Sequence, residues 1–313
     1  MKIYQSYLEF TSEKPVVVTI GTFDGVHIGH QEIIKQLVDT ARKKNLESVI
    51  LTFFPHPRRV LQKGSEFKLL TSLNEKIELL KSTGLDHLII EPFTKEFSRL
   101  TALEFARDIL VNRLNTKTLV IGYDHHFGRN REGNFEQLQQ YGETYGFDVQ
   151  EIPAQDIENV AVSSTKIRKA LDQGEVEKAN SYLGFKFMLS GSVVSGKALG
   201  RQFNYPTVNL KPEASYKLIP LAGVYVVETN IGETHYFGIM NIGKRPTVDG
   251  KRKTIEIHLF DFEGNLYGTS MQVRLLKRLR DEQKFASIEQ LFAQIKKDEH
   301  KARELISSGS FPV

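Results

Sequence analysis

Val16-Val17-Val18-Thr19-Ile20, running straight into Gly21-Thr22-Phe23-Asp24-Gly25-Val26-His27-Ile28-Gly29-His30, is the stretch that decides the fold of the first half of this chain. Five consecutive apolar or β-branched residues without alternation read as a strand buried on both faces, the pattern of a parallel sheet. Gly21, Gly25 and Gly29 then break the chain into a tight turn. Ile33, Ile34, Leu37, Val38 and Ala41 follow at helical spacing. Strand, glycine-rich turn and helix in that order open a βαβ unit.

The same rhythm continues outward. Strands are predicted at Ser48 to Phe54, His87 to Ile90, Thr118 to Ile121 and Asp148 to Ile152. A helix from about Ser72 to Ser82 is predicted to stop at Gly84, and Thr101 with Glu104 forms a capping box ahead of Phe105, Ile109 and Leu110. The expected architecture is a doubly wound α/β domain on a parallel sheet. The rhythm changes near Leu183-Gly184. Beyond it, Gly191 to Val194, Gly223 to Glu228, Tyr236 to Met240, Thr254 to Phe260 and Met271 to Leu276 read as strands. Asn230-Ile231-Gly232 and Glu263-Gly264-Asn265 read as hairpin turns. An antiparallel β barrel or sandwich is expected, closed by a helix that Ser287 and Gln290 cap and that carries the apolar stripe Ile288, Leu291, Phe292, Ile295. Two domains follow, residues 1–184 and 185–313.

Composition narrows the function. With 42 basic against 38 acidic side chains, a net +4 over 313 residues, charge gives no case for a nucleic-acid partner. No cysteine is present, which removes a disulfide framework, a thiolate zinc site and a cysteine nucleophile. There is no signal-peptide pattern and no run near the roughly 18 apolar residues of a membrane span. A cytoplasmic protein with no membrane partner, acting on small phosphorylated molecules, is the expectation.

Loops that follow the carboxyl ends of parallel strands share one edge, where ligands bind. Gly21 to His30 follows the first strand, Phe54-Pro55-His56-Pro57 the second, Gly122 to Gly133 the fourth, and Ser163-Ser164-Thr165-Lys166-Ile167-Arg168 comes soon after the fifth. His27 and His30 fall at a helix start, where amides and dipole favour an anion. Ser163, Ser164 and Thr165 offer a second such cradle, and Arg168 can grip a phosphate bidentately. Each feature has a plainer reading: the histidines as caps, Ser-Ser-Thr as an N-cap, and His56 as part of a rigid turn between prolines. His125 and His126 are adjacent on an extended chain and point apart, which argues against a shared metal.

In the second half, Gly196, Lys197, Gly200 and Arg201 make a basic glycine-rich loop, either a phosphate loop or a plain hairpin connection. Pro206-Thr207-Val208-Asn209 follows. Thr207 and Asn209 face one side of an extended segment, where a hydroxyl and an amide oxygen can ligate Mg²⁺ beside phosphates or simply form a polar strand face. In Thr254 to Phe260, Ile255, Ile257 and Leu259 alternate with Glu256, His258 and Phe260.

Taken together, GTFDGVHIGH, FPHP, GYDHHFG and SSTKIR resemble the FMN adenylyltransferase module of the bacterial bifunctional riboflavin kinase/FAD synthetase family. GSVVSGKALGRQFNYPTVNL, the Asn241-Ile242-Gly243 segment and TIEIHLFDF resemble its riboflavin kinase domain. The resemblance implies phosphorylation of riboflavin to FMN in the barrel half and adenylyl transfer from ATP to FMN in the first half, with ADP and pyrophosphate released and FAD formed. FMN and FAD are then substrates or products, and Mg²⁺ accompanies ATP. It further implies roles for individual residues. His27 and His30 would be catalytic. Gly21, Phe23, Asp24, Gly29, Asp124, Ser163, Ser164, Thr165 and Arg168 would bind ATP. Phe54, His56, Pro57, His125 and Phe127 would approach the flavin. In the kinase, Glu256 would be the base, Thr207 and Asn209 would hold Mg-ATP, and Gly196, Lys197, Gly200, Arg201, Pro206, Asn241 and Arg280 would contact ATP or flavin. A monomer or weak homo-oligomer is expected. Two other readings stay open: a nucleotidyltransferase with a different phosphorylated acceptor, and a non-catalytic flavin-binding regulator.

Overall fold

The computed structural model describes residues 1–62, 67–122, 126–152, 162–195, 205–247, 250–309 and 311, with only the backbone of 244–247 and 250–252. The chain divides into two units: Met1–Phe67 with Lys76–Val162, and Lys68–Glu75 with Ser163–Val313.

In the first unit, β1 (Lys2–Tyr4), β2 (Val16–Ile20), β3 (Glu47–Phe53), β4 (His87–Glu91), β5 (Thr116–Gly122) and β6 (Asp148–Ile152) form one sheet in the order β1-β4-β3-β2-β5-β6. Every pairing is parallel. All five residues of β2 are buried, as an unalternated apolar run requires. Val16, Val18 and Ile20 join a cluster with Val49, Leu51, Ile89, Leu119, Phe105 and Leu138. Helix α1 (Ile28–Lys44) packs on β2, β3 and β5 through Ile34, Leu37, Val38 and Ala41. The short α2 (Pro57–Leu61) and α3 (Leu73–Lys81) follow, α3 belonging to both units along its length. The capping box forms at α4 (Ala102–Glu104), where Thr101 N–H donates to Glu104 Oε2 (2.8 Å) and Glu104 N–H to Thr101 Oγ1 (3.2 Å). Phe105–Val111 continues it as a wider π-type turn, and α5 (Phe135–Tyr145) leads into β6.

The strand order reverses between β2 and β5. That switch point, at the carboxyl ends, is where this class of sheet opens a crevice, and the Gly21–His30 turn leaves β2 there.

The second unit contains α6 (Ser164–Asp172), α7 (Val176–Leu183) and six strands: β7 (Met188–Val194), β8 (Val208–Pro212), β9 (Gly223–Ile231), β10 (Thr234–Thr247), β11 (Gly250–Leu259) and β12 (Ser270–Arg280). They close into a barrel in the order β10-β11-β8-β7-β12-β9, antiparallel throughout. Ile255, Ile257 and Leu259 are buried as the alternation predicts. On the opposite face, Val224, Val226, Ile239, Phe260 and Leu276 pack against Ala302 of the C-terminal helix α8 (Ile288–Ser307).

Of the two expected hairpin turns, one forms and one does not. Gly232 (φ 60°) does turn β9 into β10. Glu263-Gly264-Asn265, however, is no hairpin: β11 pairs with β10 and β8, not with β12, so this stretch is a longer crossing connection. Gln290 accepts from Ala286 N–H rather than Ser287 N–H, so the cap of α8 is one-sided.

Residues Lys68–Glu75 are tied into the barrel unit. Leu69 bridges Lys217, and the Lys217 ammonium, about 1% exposed, donates to Glu75 Oε2 (2.6 Å) and Leu70 O (2.6 Å) over the Phe187 ring (4.3 Å). Ser72 N–H and Ser190 N–H occupy the rest of the Glu75 carboxylate.

Candidate active sites

The first candidate site is the turn after β2. His27 is the N-cap of α1, its Nδ1 accepting from His30 N–H (3.4 Å), and the two imidazoles stack at 3.6 Å. The Phe23 ring stands edge-on to His30 at 5.2 Å. Phe23 (φ 46°) and Val26 (φ 41°) both sit in the left-handed region, which costs a β-branched residue most. Such strain persists only where the surroundings enforce it. Here Gly21 N–H bonds Leu51 O (3.1 Å), while Thr22 O accepts from Lys76 Nζ (2.7 Å) and Thr52 Oγ1 (3.3 Å).

Burial, then the neighbouring His27 and Lys76, hold the His30 imidazole well below its ordinary pKa, so it is neutral at pH 7. Its Nδ1 is buried without a hydrogen-bond partner among the described residues. Burial also lowers the Lys76 ammonium to about 8, opposed by the attraction of Asp24. The turn therefore offers the α1 N-terminus, two imidazoles and a buried cation, a setting for anionic ligands.

The other predicted residues are distributed as follows. Asp24 and Gly29 are buried in the turn. His56 caps α2, accepting from Arg58 N–H (3.1 Å), and its ring meets Phe67 at 5.1 Å; Pro57 is the first residue of that helix. Phe54 N–H bonds Glu91 O (3.0 Å). Phe127 is buried against Phe105. Asp124 and His125 lie outside the described residues. Ser163 caps α6 by accepting from Lys166 N–H (3.3 Å), and Arg168 Nε donates to Lys68 O (3.0 Å); with Ser164 and Thr165 they belong to the second unit.

The second candidate site lies on the outer face of the barrel beneath α8. Asn241, Glu256 and Asn209 are register partners across β10, β11 and β8, so the three side chains form a row on one face. Thr207, Glu256 and Asn241 line a cavity of about 270 Å³ together with apolar Leu291, Phe292 and Ile295 of α8. Pro206 offers its carbonyl to His258 Nδ1 (2.9 Å), which ties the Pro-Thr-Val-Asn segment to β11. Tyr205 stacks on Phe292 (5.9 Å). Arg280 reaches the cavity but spends its guanidinium on Asp298 (Nε 3.0 Å, a terminal nitrogen 2.7 Å). Gly196, Lys197, Gly200 and Arg201 lie outside the described residues.

Lys76 borders the first candidate site and Tyr205, His258 and Asp298 line the second, and sequence reading singles out none of them. His258 carried a signal, since it shares the Glu256 face of the strand. Lys76 carried a fainter one: it occupies an apolar phase of its helix, three residues after Leu73 and four before Leu80.

Comparison with known proteins covers both units. Residues 9–166 match the FAD synthetase family and residues 183–306 the riboflavin kinase family. The bifunctional riboflavin kinase/FMN adenylyltransferase of Escherichia coli K12 is 42% identical over 289 residues, 92% of each chain. That of Haemophilus influenzae is 36% identical over 292 residues, 93% of this chain and 94% of the other. A solved structure described as a macrolide-efflux protein from Streptococcus pneumoniae superposes with a TM-score of 0.88 at 34% identity, covering 96% of this chain and 98% of that one. Among the described residues no helix is long and apolar enough to cross a membrane. By both family matches and by relatives of 36–42% identity along nearly the whole chain, this protein belongs to the bifunctional riboflavin kinase/FMN adenylyltransferase family.

Proposed function

We propose that the chain converts riboflavin to FMN at the barrel site and FMN to FAD at the turn after β2, as a cytoplasmic monomer or weak homo-oligomer with its functional boundary near residue 184. The observation that carries the kinase reading is the Asn209–Glu256–Asn241 row, of which Glu256 and Asn241 line a cavity walled by both polar and apolar side chains. A flat apolar ring with a hydroxylated chain suits such a cavity. Glu256 accepts the proton of the ribityl 5′-hydroxyl as its oxygen bonds to the ATP γ-phosphorus and ADP departs. Thr207 and Asn209 supply hard oxygen donors of the kind Mg²⁺ takes, and the ion, when bound with ATP, offsets charge on the phosphates.

At the turn, the FMN phosphate oxygen bonds to the ATP α-phosphorus and pyrophosphate leaves. The α1 amides with His27 and His30 hydrogen-bond the crowded phosphoryl oxygens. A neutral His30 serves as a donor without adding an ion to a dry site. Asp24, buried in the same turn, completes the ATP contacts of that unit in this proposal.

Chromatography after incubation with riboflavin, ATP and Mg²⁺ tests both steps: FMN should appear first and FAD after it. Flavin binding without either product would favour the regulatory reading. His30→Ala should slow FAD formation roughly 100-fold and leave riboflavin phosphorylation unchanged, so that FMN accumulates. A loss of both activities in a folded variant would sink the assignment of independent sites.

A further inference from the structure

We propose that Lys76 is a positioning residue for adenylyl transfer, its buried ammonium holding the Thr22 carbonyl and thereby the shape of the turn that carries His27 and His30. This rests on the assignment of that turn to adenylyl transfer.

Lys76 is 5% exposed, and its one hydrogen bond among the described residues is to Thr22 O at 2.7 Å. A lysine in the apolar phase of a helix is a costly choice, since leucine or methionine would pack there without taking a charge out of water. The adjacent Glu75 does not compensate it, because its carboxylate is occupied by Lys217, Ser72 and Ser190. The charged and titratable groups that Lys76 feels are Asp24 and His30, both in the turn segment.

The linkage to the chemistry is short. Thr22 is followed at once by Phe23 in the left-handed region, and the Phe23 ring abuts His30. Fixing the Thr22 carbonyl therefore fixes the strained residue that braces the imidazole. An ammonium has three donors, and one is used on Thr22. The positive charge also faces the crevice end of β2, and it disfavours protonation of His30.

The test is the pH dependence of kcat/KM for ATP in FMN adenylylation, a quantity that reports groups of the free enzyme. Wild-type, K76R and K76M full-length proteins are compared, with riboflavin phosphorylation by the same preparations as the control for folding. In the wild type, kcat/KM should fall as pH rises through about 8, where the ammonium loses its proton. K76M should lose roughly 100-fold at pH 7 with kinase activity intact. K76R should recover at least about tenfold over K76M and stay level beyond the wild-type decline. A wild-type profile that is flat through that range, a K76M protein within about threefold of wild type, or a K76R protein no better than K76M would each overturn the proposal. Wild-type protein that forms no FAD from FMN at any pH would instead sink the assignment of the turn.

Discussion

Glu256→Ala should lower the turnover of riboflavin phosphorylation about 10³-fold, equivalent to about 4 kcal/mol of barrier, while FMN supplied from outside is still converted to FAD. The size of the effect follows from placement. Glu256 sits in the middle of a paired strand, flanked in register by Asn241 and Asn209, so its carboxylate is held by the barrel rather than by a loop. Among the described residues no other carboxylate stands in that register row, while Glu282 and Asp298 line the same cavity from other segments. Ile255 and Ile257 keep their places in the core, and melting should shift by no more than about 1 kcal/mol. Separate chromatographic assays of FMN and FAD on one preparation decide the matter. A variant that still phosphorylates riboflavin within tenfold of wild type would remove Glu256 from the chemistry.

Lys217→Met should destabilise the barrel unit by about 3–5 kcal/mol, the usual result of removing one member of a buried ion pair. Each Lys217 donor has a partner: the Glu75 carboxylate, the Leu70 carbonyl and the face of Phe187. Methionine of similar length fills the space but leaves Glu75, about 1% exposed, with only the Ser72 and Ser190 amides among the described residues. The double variant Lys217→Met with Glu75→Leu should recover most of the loss, because it removes both desolvated charges together. Denaturant unfolding of the three proteins gives the comparison, and a single variant within about 1 kcal/mol of wild type would show that the pair is not a fastening.

Much of this was legible in the chain. The unalternated Val16–Ile20 run announced a two-sided parallel strand, and the period-two pattern of Thr254 to Phe260 announced a barrel strand, because each reports directly which faces are covered. β1 escaped notice: three residues long, at the sheet edge, it is held by pairing to His87–Ile89 and leaves Ile3 exposed, so no apolar period marks it. The last residues of β10 and the first of β11 carry no strand signal, since 244–247 and 250–252 hold four Lys and Arg residues and no apolar alternation. The apolar stripe of α8 is legible as a stripe, but the sequence does not say what it faces. Leu291 remains 36% exposed and lines the cavity with Phe292 and Ile295, so part of that face borders the cavity instead of being sealed in a core. The ion pair of Glu75 with Lys217 had no signal at all, since the two lie 142 positions apart.

Strand β11 has its hydrophobic filling on one side and its polar row on the other. The kinase half therefore sorts its mutations by parity. Changes at 255, 257 and 259 act on the barrel interior and should register in the melting curve; if Glu256 is the base as proposed, changes at 256 and 258 should register in turnover. On that assignment, a lineage carrying this strand could drift in heat tolerance without disturbing its chemistry, and could retune its chemistry without rebuilding what keeps it folded.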